Sequence, residues 1–311
     1  MQALATVRRD YTDTQRMWLD TKRSVTTRKG YSEDVRRFFA KMAPAMEFPA
    51  VVSEFLSFTR NEAVVIFLQY RADLQQEGLA PSTINRRLAA VKSLVKFANS
   101  IGHCSWTLDD IKGEKVEGYR DVSGPSVAQI AAMLQVPNQD TPKGKRDYAL
   151  IRLLFENALR RNEVVGCNVS DFDPDGRTLA IIGKGRVQRE TVTLSEKVSR
   201  AITSWLETRG ELSGDAPLFT SVSNNQRGHR MTGTALYKLI CEVGQAAGIP
   251  KTVSPHRMRH SAITTALEHL NGDVCLVQRL SRHKDVCTVM IYADRLKNEQ
   301  GDVTNLLSAL A

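Results

Sequence analysis

The chain has 311 residues, of which 42% are hydrophobic, and a formal net charge of +9 with a pI near 9.4. This length favours two domains over one, and the basic balance favours a polyanionic partner, most commonly nucleic acid. No apolar run approaches the ~20 residues of a membrane span, and no secretory signal is evident, so a cytoplasmic, nucleoid-associated protein without a membrane partner is expected. The five cysteines form no CxxC pair, which argues against a disulfide framework.

The N-terminal part is predicted to be a short arm followed by a helical core DNA-binding domain. Residues 1–20 are polar and irregular and are interpreted as the arm, whereas residues 21–101 have mostly helical periodicity. The predicted helices lie in RKGYSEDVRRFFAKM, PAVVSEFLSFTR, NEAVVIFLQYRADLQQEG and PSTINRRLAAVKSLVKFANSIG. Residues 102–124 lose this periodicity and gain glycine and charge, which indicates an interdomain linker.

The fourth predicted helix has one apolar and one basic face. Apolar residues recur at helical spacing from Ile84 to Ala98, and Pro81 supplies a helix start signal. The opposite face carries the candidate DNA contacts Arg86, Arg87, Lys92 and Lys96. A solvated surface is the commoner explanation for such a face, although a helix in a DNA major groove presents the same groups. Both interpretations stay open at this point.

Residues 125–311 are predicted to form a second domain that is mainly α-helical with a small β-sheet. A long apolar helix is predicted in RDYALIRLLFENALRRNEVVG, and two alternating segments, RTLAII and RVQRETVTL, predict a hairpin joined through Gly183, Lys184 and Gly185. Helices are then predicted in SEKVSRAITSWLETRG, TGTALYKLICEVGQAAG, PHRMRHSAITTALEHLNG, DVCLVQRLSRH and DVCTVMIYADR, followed by the apolar tail VTNLLSALA.

Several polar residues of the second domain could carry chemistry, although each has a plainer explanation when taken alone. Arg160 could be a helix-end cation paired with Glu163, and Lys184 could be a solvated lysine at a hairpin tip. The pattern of His256, Arg259 and His260 could be a basic helix end. A zinc site built on His283 with Cys275 and Cys287 lacks any established ligand spacing, so no metal and no cofactor are expected.

Taken together, these residues form a constellation that resembles the tyrosine recombinase family, the phage integrases and Xer-type recombinases. The string ENALRRNEVV resembles the first arginine box, IIGKGRVQRETVTL the lysine hairpin, PHRMRHSAITTAL the His-x-x-Arg box and LSRHKDVCTVMIYAD the final box. The resemblance extends over nearly the whole chain and is less specific in the N-terminal part. It implies an N-terminal core-binding domain and a C-terminal catalytic domain.

The resemblance also implies a role for each residue. Tyr292 would be the nucleophile, with His256 as its general base and Lys184 as the acid that protonates the leaving 5′ oxygen. The guanidinium groups of Arg160 and Arg259 would hold the phosphate, and His283 would hydrogen-bond to it. Glu163 and His260 would orient their neighbours without touching the substrate. Further DNA contacts in this domain are expected from Arg161, Arg186 and Arg257.

Three positions depart from the family pattern. Ala158 stands where a glycine is usual, Arg282 replaces the glycine that commonly precedes the final histidine, and Val289 replaces a common threonine. None of these changes removes a reactive group.

The sequence therefore predicts a site-specific DNA recombinase that works through a 3′-phosphotyrosine intermediate on double-stranded DNA, as a homotetramer on two duplexes. An accessory DNA-bending or directionality protein is a possible further partner. Two alternatives remain. A non-catalytic DNA-binding protein on the same scaffold would have no use for the nucleophile, and a type IB topoisomerase or telomere resolvase would share the chemistry. The apolar tail is equally compatible with docking onto its own domain or onto a neighbouring protomer.

Overall fold

A computed structural model describes residues 14–116, 123–183, 188–223, 227–293 and 299–310. Two predicted site residues, Lys184 and Arg186, fall outside these ranges. The chain divides into two compact units, Met1–Tyr119 and Arg120–Ala311. In the described ranges, no helix combines the length and the apolar character needed to cross a membrane.

The first unit is a helical bundle whose helices begin at residues suited to that position. Ser24 and Thr59 accept hydrogen bonds from the backbone of the first turns they precede, Glu62 completes a capping box with Thr59, and Pro81 opens the last helix. The helices of this unit are α1 (Thr14–Asp20), α2 (Val25–Met42), α3 (Phe48–Ser57), α4 (Arg60–Gln76) and α5 (Pro81–Ser100).

Aromatic side chains fill the centre of this bundle. Phe38 of α2 makes edge-to-face contacts with Phe55 of α3 and Tyr70 of α4, at ring-centroid distances of 5.2 and 5.0 Å. The predicted apolar face of α5, from Ile84 to Ala98, is buried against them. Burial of large rings that also meet edge to face stabilises the bundle beyond the area removed from water.

Two segments of this unit differ from the sequence expectation. Residues 14–20, predicted as part of an irregular arm, form α1, and Trp18 is fully buried with its indole N–H 3.1 Å from Ser93 Oγ. Trp106 and Leu108, predicted in the linker, are also buried in this core, and the Trp106 indole donates to the carbonyl of Phe58 at 2.8 Å. Residues 14–20 and the stretch around Trp106 and Leu108 are too short to show a hydrophobic periodicity, and partners distant in the sequence determine their structure.

The second unit combines helices with a three-stranded antiparallel sheet. The strands are β1 (Phe172–Asp173), β2 (Thr178–Ile182) and β3 (Arg189–Thr193) in the order β1-β2-β3, with Thr178 opposite Thr193 and Ile182 opposite Arg189. The predicted hairpin is therefore confirmed. The helices are α6 (Val127–Gln135), α7 (Pro142–Glu156), α8 (Arg161–Val165), α9 (Glu196–Glu207), α10 (Gly233–Ala246), α11 (Pro255–His269), α12 (Val274–Ser281), α13 (Cys287–Ala293) and α14 (Glu299–Leu310).

Helix α7 lies at the centre of the second unit. Its residues Leu150, Ile151, Leu153 and Leu154 are fully buried, and α9 packs along it with Trp205. Because α7 ends at Glu156 inside the unit, the chain that follows it turns where solvent cannot hydrate its carbonyl groups.

A smaller apolar cluster joins the end of α7 to the last helices of the unit. It contains Ala158 from the turn after α7, Ala262, Ile263 and Leu267 from α11, Val277 from α12, and Val289 and Tyr292 from α13. This cluster brings the chain after α7 together with α11, α12 and α13, which carry the remaining polar residues of interest.

Truncating Trp18 tests whether α1 belongs to the folded bundle. Trp18→Ala should lower the free energy of unfolding by about 3–5 kcal/mol, because it leaves a large cavity and removes one of the two donors to Ser93 Oγ. The measurement is urea unfolding of the full chain followed by circular dichroism. The control Met17→Ala, at an exposed neighbouring position, should change the free energy of unfolding by less than about 0.5 kcal/mol. Equal unfolding of both variants and the wild type would mean that α1 contributes nothing to stability.

Candidate active site

The first arginine lies just beyond the end of α7. The backbone turns at Ala158, which has a positive φ of 47°, and Arg160 then precedes the short helix α8. Glu163, only 3% exposed, accepts hydrogen bonds from the Arg160 backbone N–H and guanidinium, both at 2.8 Å. Because the carboxylate contacts Arg160 at two points, the arginine is held in one orientation while its side chain stays 30% exposed.

Arg259 of α11 is the most deeply buried cation of the site, at 1% exposure. Its guanidinium donates to the backbone carbonyls of Ala158 and Ser281. Burial, together with the positive charges of Arg160 and Arg282, lowers the pKa of Arg259 to about 9. Arg259 therefore remains a cation at neutral pH, at a position where an anion would relieve the repulsion from its neighbours.

His283 follows α12 and faces the same cations. Its Nε2 lies 3.2 Å from the Arg259 guanidinium and its Nδ1 lies 3.0 Å from Ser281 Oγ. Arginine can only donate, so Nε2 accepts and the ring proton is on Nδ1. Burial and the charges of Arg259, Arg160, Arg282 and His256 lower the pKa of His283 to about 4, so that the ring is neutral at physiological pH.

Arg282 separates α12 from His283 and has a left-handed backbone, with φ 55° and ψ 37°. Its guanidinium points inward, where it donates to the carbonyls of Leu280 (2.7 Å), Asn157 (3.3 Å) and Ala158 (3.3 Å). It also lies 3.4 Å from Glu163 Oε2. The side chain is 7% exposed, so Arg282 is the third guanidinium group of the site and, with Arg259, one of two that are buried.

The hydroxyl of Tyr292 lies 2.5 Å from His260 Nδ1, and the tyrosine is 4% exposed. The ring of His256, one helical turn before His260 on α11, stands edge-on to that of His260 at 4.1 Å. His256 was expected to receive the tyrosine proton, with His260 only orienting its neighbours. The contacts differ from this expectation, because the nitrogen in hydrogen-bond contact with the hydroxyl belongs to His260.

The site thus brings together residues from four places in the sequence. Those predicted from the sequence and found here within one cluster are Arg160, Glu163, His256, Arg259, His260, His283 and Tyr292. Sequence reasoning missed the part played by Arg282, whose replacement of a glycine was the available signal. The predicted acid Lys184 lies outside the described residues. Among the residues that the structure does describe, no group of three or more His, Cys, Asp or Glu side chains could hold a metal ion.

The predicted DNA contacts on α5 differ in how far they are engaged within their own unit. Lys92 donates to the carbonyl of Ile111, and burial lowers its pKa. Arg87 is 13% exposed and lies 3.9 Å from Glu77. Arg86 and Lys96 are paired with Asp34 and Asp109, yet remain 51% and 69% exposed. Arg87 and Lys92 are therefore engaged within their own unit, whereas Arg86 and Lys96 keep exposed side chains that are compatible with either a solvated or a DNA-binding face.

The two candidate DNA contacts of the second unit outside the hairpin lie beside the cluster. Arg161 is exposed at the first position of α8. Arg257 is partly exposed, and one of its guanidinium nitrogens lies 3.5 Å from the carbonyl of Ser123. Both remain compatible with contact to a polyanion next to the buried cations.

Comparison with known proteins identifies the class to which this fold and site belong. The model of the phage integrase family matches residues 126–299, and that of the phage integrase N-terminal SAM-like domain matches residues 14–102. The tyrosine recombinase slr0733 of Synechocystis sp. is 44% identical over 94% of this chain and 93% of its own length. The tyrosine recombinase XerC of Pelobacter propionicus is 28% identical over 89% of this chain and 88% of its own length. The chain belongs to the tyrosine recombinases, enzymes that exchange DNA strands at specific sites.

Solved structures agree on the fold. The recombinase XerH bound to a palindromic difH substrate superposes with a TM-score of 0.65 over 96% of this chain and 95% of that one, at 18% identity. The Tn1549 transposon integrase in complex with circular intermediate DNA superposes with a TM-score of 0.63 over 91% of this chain and 94% of that one, at 17% identity. The predicted mainly α-helical fold with a small sheet is thereby confirmed.

The charges around His283 predict an unusual titration. NMR of the DNA-free protein should give a midpoint near 4 for the His283 ring, identified by the loss of its signal in His283→Gln. Because the unfolded chain binds this proton near pH 6.5 and the folded chain does not, the free energy of unfolding should fall as the pH drops from about 6.5 to about 4. His283→Gln should lose this part of the pH dependence. A midpoint near 6.5 would mean that neither burial nor the surrounding cations act on the ring.

Proposed function

We propose that this chain cuts and rejoins double-stranded DNA through a covalent bond between phosphorus and the Tyr292 hydroxyl oxygen. The observation that carries the proposal is the cluster that brings together a tyrosine hydroxyl, a histidine and three guanidinium groups. A phosphodiester is an anion that these cations are suited to bind. Membership of the tyrosine recombinases supports the same reaction.

Arg160 and Arg259 are the proposed phosphate ligands. Guanidinium groups match phosphate oxygens in geometry and stabilise the negative charge that increases as the attacking oxygen adds to phosphorus. The three guanidinium groups have the carboxylate of Glu163 in direct contact with Arg160 and Arg282 only, so positive charge remains around Arg259 while His283 is neutral. Once the phosphate is bound, its charge favours protonation of His283, which then donates a hydrogen bond to a phosphate oxygen.

The proton of Tyr292 has to leave as its oxygen attacks, because only about a thousandth of a tyrosine with an ordinary pKa is ionised at neutral pH. His260 Nδ1 is the acceptor in contact with the hydroxyl. His256, beside it, is assigned to relay that proton or to contact the phosphate. This assignment revises the expectation that His256 alone is the base.

The departing 5′ oxygen takes up a proton, and the proposed donor remains Lys184 on the hairpin between β2 and β3. The products of the first step are a 3′-phosphotyrosine and a free 5′ hydroxyl. Attack by another 5′ hydroxyl reverses the chemistry, so ligation is close to energy-neutral and requires no nucleotide.

Strand exchange between two duplexes requires four active sites, so the proposed working form is a homotetramer on DNA, in the compartment that contains the nucleoid. Helix α14 supports contact between copies, because its Leu306, Leu307 and Leu310 are 59%, 61% and 77% exposed. We assign this apolar surface to a second copy of the chain. Accessory DNA-bending or directionality proteins are compatible with this arrangement.

A covalent adduct on DNA tests the proposed reaction directly. The wild type, incubated without metal or nucleotide with a pool of nicked random-sequence duplexes, should give a protein–DNA band that survives denaturing electrophoresis. Tyr292→Phe should give none, because it lacks the attacking oxygen. Arg160→Ala should reduce the rate on the order of 10²–10³-fold, as expected for a lost charge-stabilising donor.

Three other outcomes would redirect the assignment. An adduct that persists in Tyr292→Phe would place the nucleophile elsewhere. Binding of DNA without any adduct in the wild type would favour a non-catalytic DNA-binding protein. Relaxation of supercoiled plasmid without a specific site would favour a topoisomerase, and closed hairpin ends would favour a telomere resolvase.

Separate replacement of the two histidines tests which one receives the tyrosine proton. His260→Asn should lower the cleavage rate on the order of 10²–10⁴-fold and make the remaining rate rise with pH, because hydroxide then replaces the lost base. His256→Asn should have a smaller effect and keep the wild-type pH profile. The reverse pattern in single-turnover cleavage would return the role of base to His256.

A further inference from the structure

Arg282 occupies a backbone position at which any side chain other than glycine is disfavoured. In the left-handed conformation at the end of α12, the Cβ atom crowds the following carbonyl, and helices commonly place glycine there for this reason. The family pattern has a glycine before the final histidine, whereas this chain has an arginine. A side chain kept in a strained position is expected to contribute an interaction that offsets the strain.

The direction of the side chain indicates where that interaction lies. A long cation at a helix end usually extends its charged group into water. Arg282 instead buries its guanidinium, at 7% exposure, against carbonyls that follow α7 and against Glu163. Burial of a third cation beside Arg160 and Arg259 is unfavourable unless these acceptors compensate it.

The acceptors of Arg282 are shared with the proposed phosphate ligands. The carboxylate oxygen Oε2 of Glu163 accepts from the Arg160 backbone N–H as well as from Arg282. The carbonyl of Ala158 accepts from both Arg259 and Arg282. The next residue after Arg282 is His283, which contacts Arg259. The Arg282 guanidinium therefore contacts acceptors that also bind Arg160 and Arg259. Arg282 itself directly precedes His283 in the sequence.

We propose that Arg282 is a positioning residue for DNA cleavage, which holds Glu163 and the turn at Ala158 so that Arg160, Arg259 and His283 face the same phosphate. This inference rests on the proposed reaction. Both terminal nitrogens of Arg282 are directed at protein acceptors, so the residue acts through its neighbours and adds a positive charge to the site without touching the substrate.

The test compares two arginine-to-glycine substitutions at left-handed positions. Arg282→Gly removes the guanidinium and relaxes the backbone. Arg177→Gly does the same at an exposed turn between β1 and β2, where φ is 48° and the backbone carbonyl keeps its bond to Leu194 N–H. Both variants lose one positive charge, so they differ in whether the lost side chain contacts the site.

The expected result is a loss of activity that stability does not explain. Arg282→Gly should slow single-turnover adduct formation on the order of 10–100-fold, the scale of a misplaced catalytic group, while its Tm changes by less than about 4 °C. Arg177→Gly should stay within about two-fold of the wild type, since exposed substitutions away from a site change little. Arg282→Lys, which keeps the charge without the planar fork, should recover only part of the rate. A wild-type rate in Arg282→Gly would overturn the proposal.

A second measurement needs neither DNA nor activity. The groups that face His283 are Arg259, Arg160, Arg282 and His256, and all of them lower its pKa. Arg282→Gly should therefore shift the NMR midpoint of His283 upward from its value near 4, whereas Arg177→Gly should leave it in place. An unshifted midpoint in Arg282→Gly would contradict the placement of Arg282 even if the wild type formed no adduct, and a shifted midpoint with no wild-type adduct would reject only the proposed reaction.

Discussion

The architecture of the second unit depends on keeping several guanidinium groups close together in its interior. Like charges that are also desolvated destabilise one another, so each needs a fixed acceptor nearby. Helices α7 and α12 supply these acceptors, because the carbonyls at a helix C-terminus have no partner within the helix and carry partial negative charge. Arg259 bridges the two ends through Ala158 and Ser281, and Arg282 adds Asn157 and Leu280. The carboxylate of Glu163 accepts from both Arg160 and Arg282.

This compensation also explains why the backbone turns where it does. Carbonyls at the ends of two helices can converge on the same cations only if the chain reverses sharply after each helix. Ala158 and Arg282 have positive φ at these two points. Both are positions at which the family pattern has glycine, so this chain keeps the turns and bears the strain of a side chain at each. The turns at Ala158 and Arg282 therefore place backbone carbonyls against the cations as well as reversing the chain.

A site built in this way is organised before the substrate arrives. The cations are already oriented, so little reorganisation is needed when negative charge develops on the phosphate. In the proposed reaction, a bound phosphate would relieve the repulsion between Arg160, Arg259 and Arg282, which would couple affinity for DNA to the arrangement of the site. Burial and the same positive charges lower the pKa of His283 to about 4, so that its ring is neutral at physiological pH.

The sequence predicted the type of reaction more completely than it predicted the side-chain contacts. The resemblance to the tyrosine recombinase family was enough to predict Arg160, Arg259, His283 and Tyr292 as one cluster. The hairpin of β2 and β3 was predictable from alternation, because that pattern is local. The burial of Trp18 was not predictable, since its partner Ser93 is 75 residues away. Neither was the contact of the Tyr292 hydroxyl with His260, because His256 and His260 lie one turn apart on α11 and the packing of α13 determines which of them the hydroxyl meets.

In the first unit, the number of basic residues on α5 differs from the number that are accessible to DNA. The ion pair of Lys96 with Asp109 is exposed and contributes little to stability, so a phosphate can replace Asp109 at small cost. Arg86 has to keep its bond to the buried Asp34, but half of its side chain stays exposed beside that bond. Lys92 is engaged more deeply, because withdrawing it would take a donor away from the carbonyl of Ile111, and Arg87 is only 13% exposed. On α5, Arg86 and Lys96 are therefore the cations whose exposure is compatible with contact to the DNA backbone. The net charge of +9 indicated a polyanion correctly, but the partners already present inside the fold determine which cations can reach it.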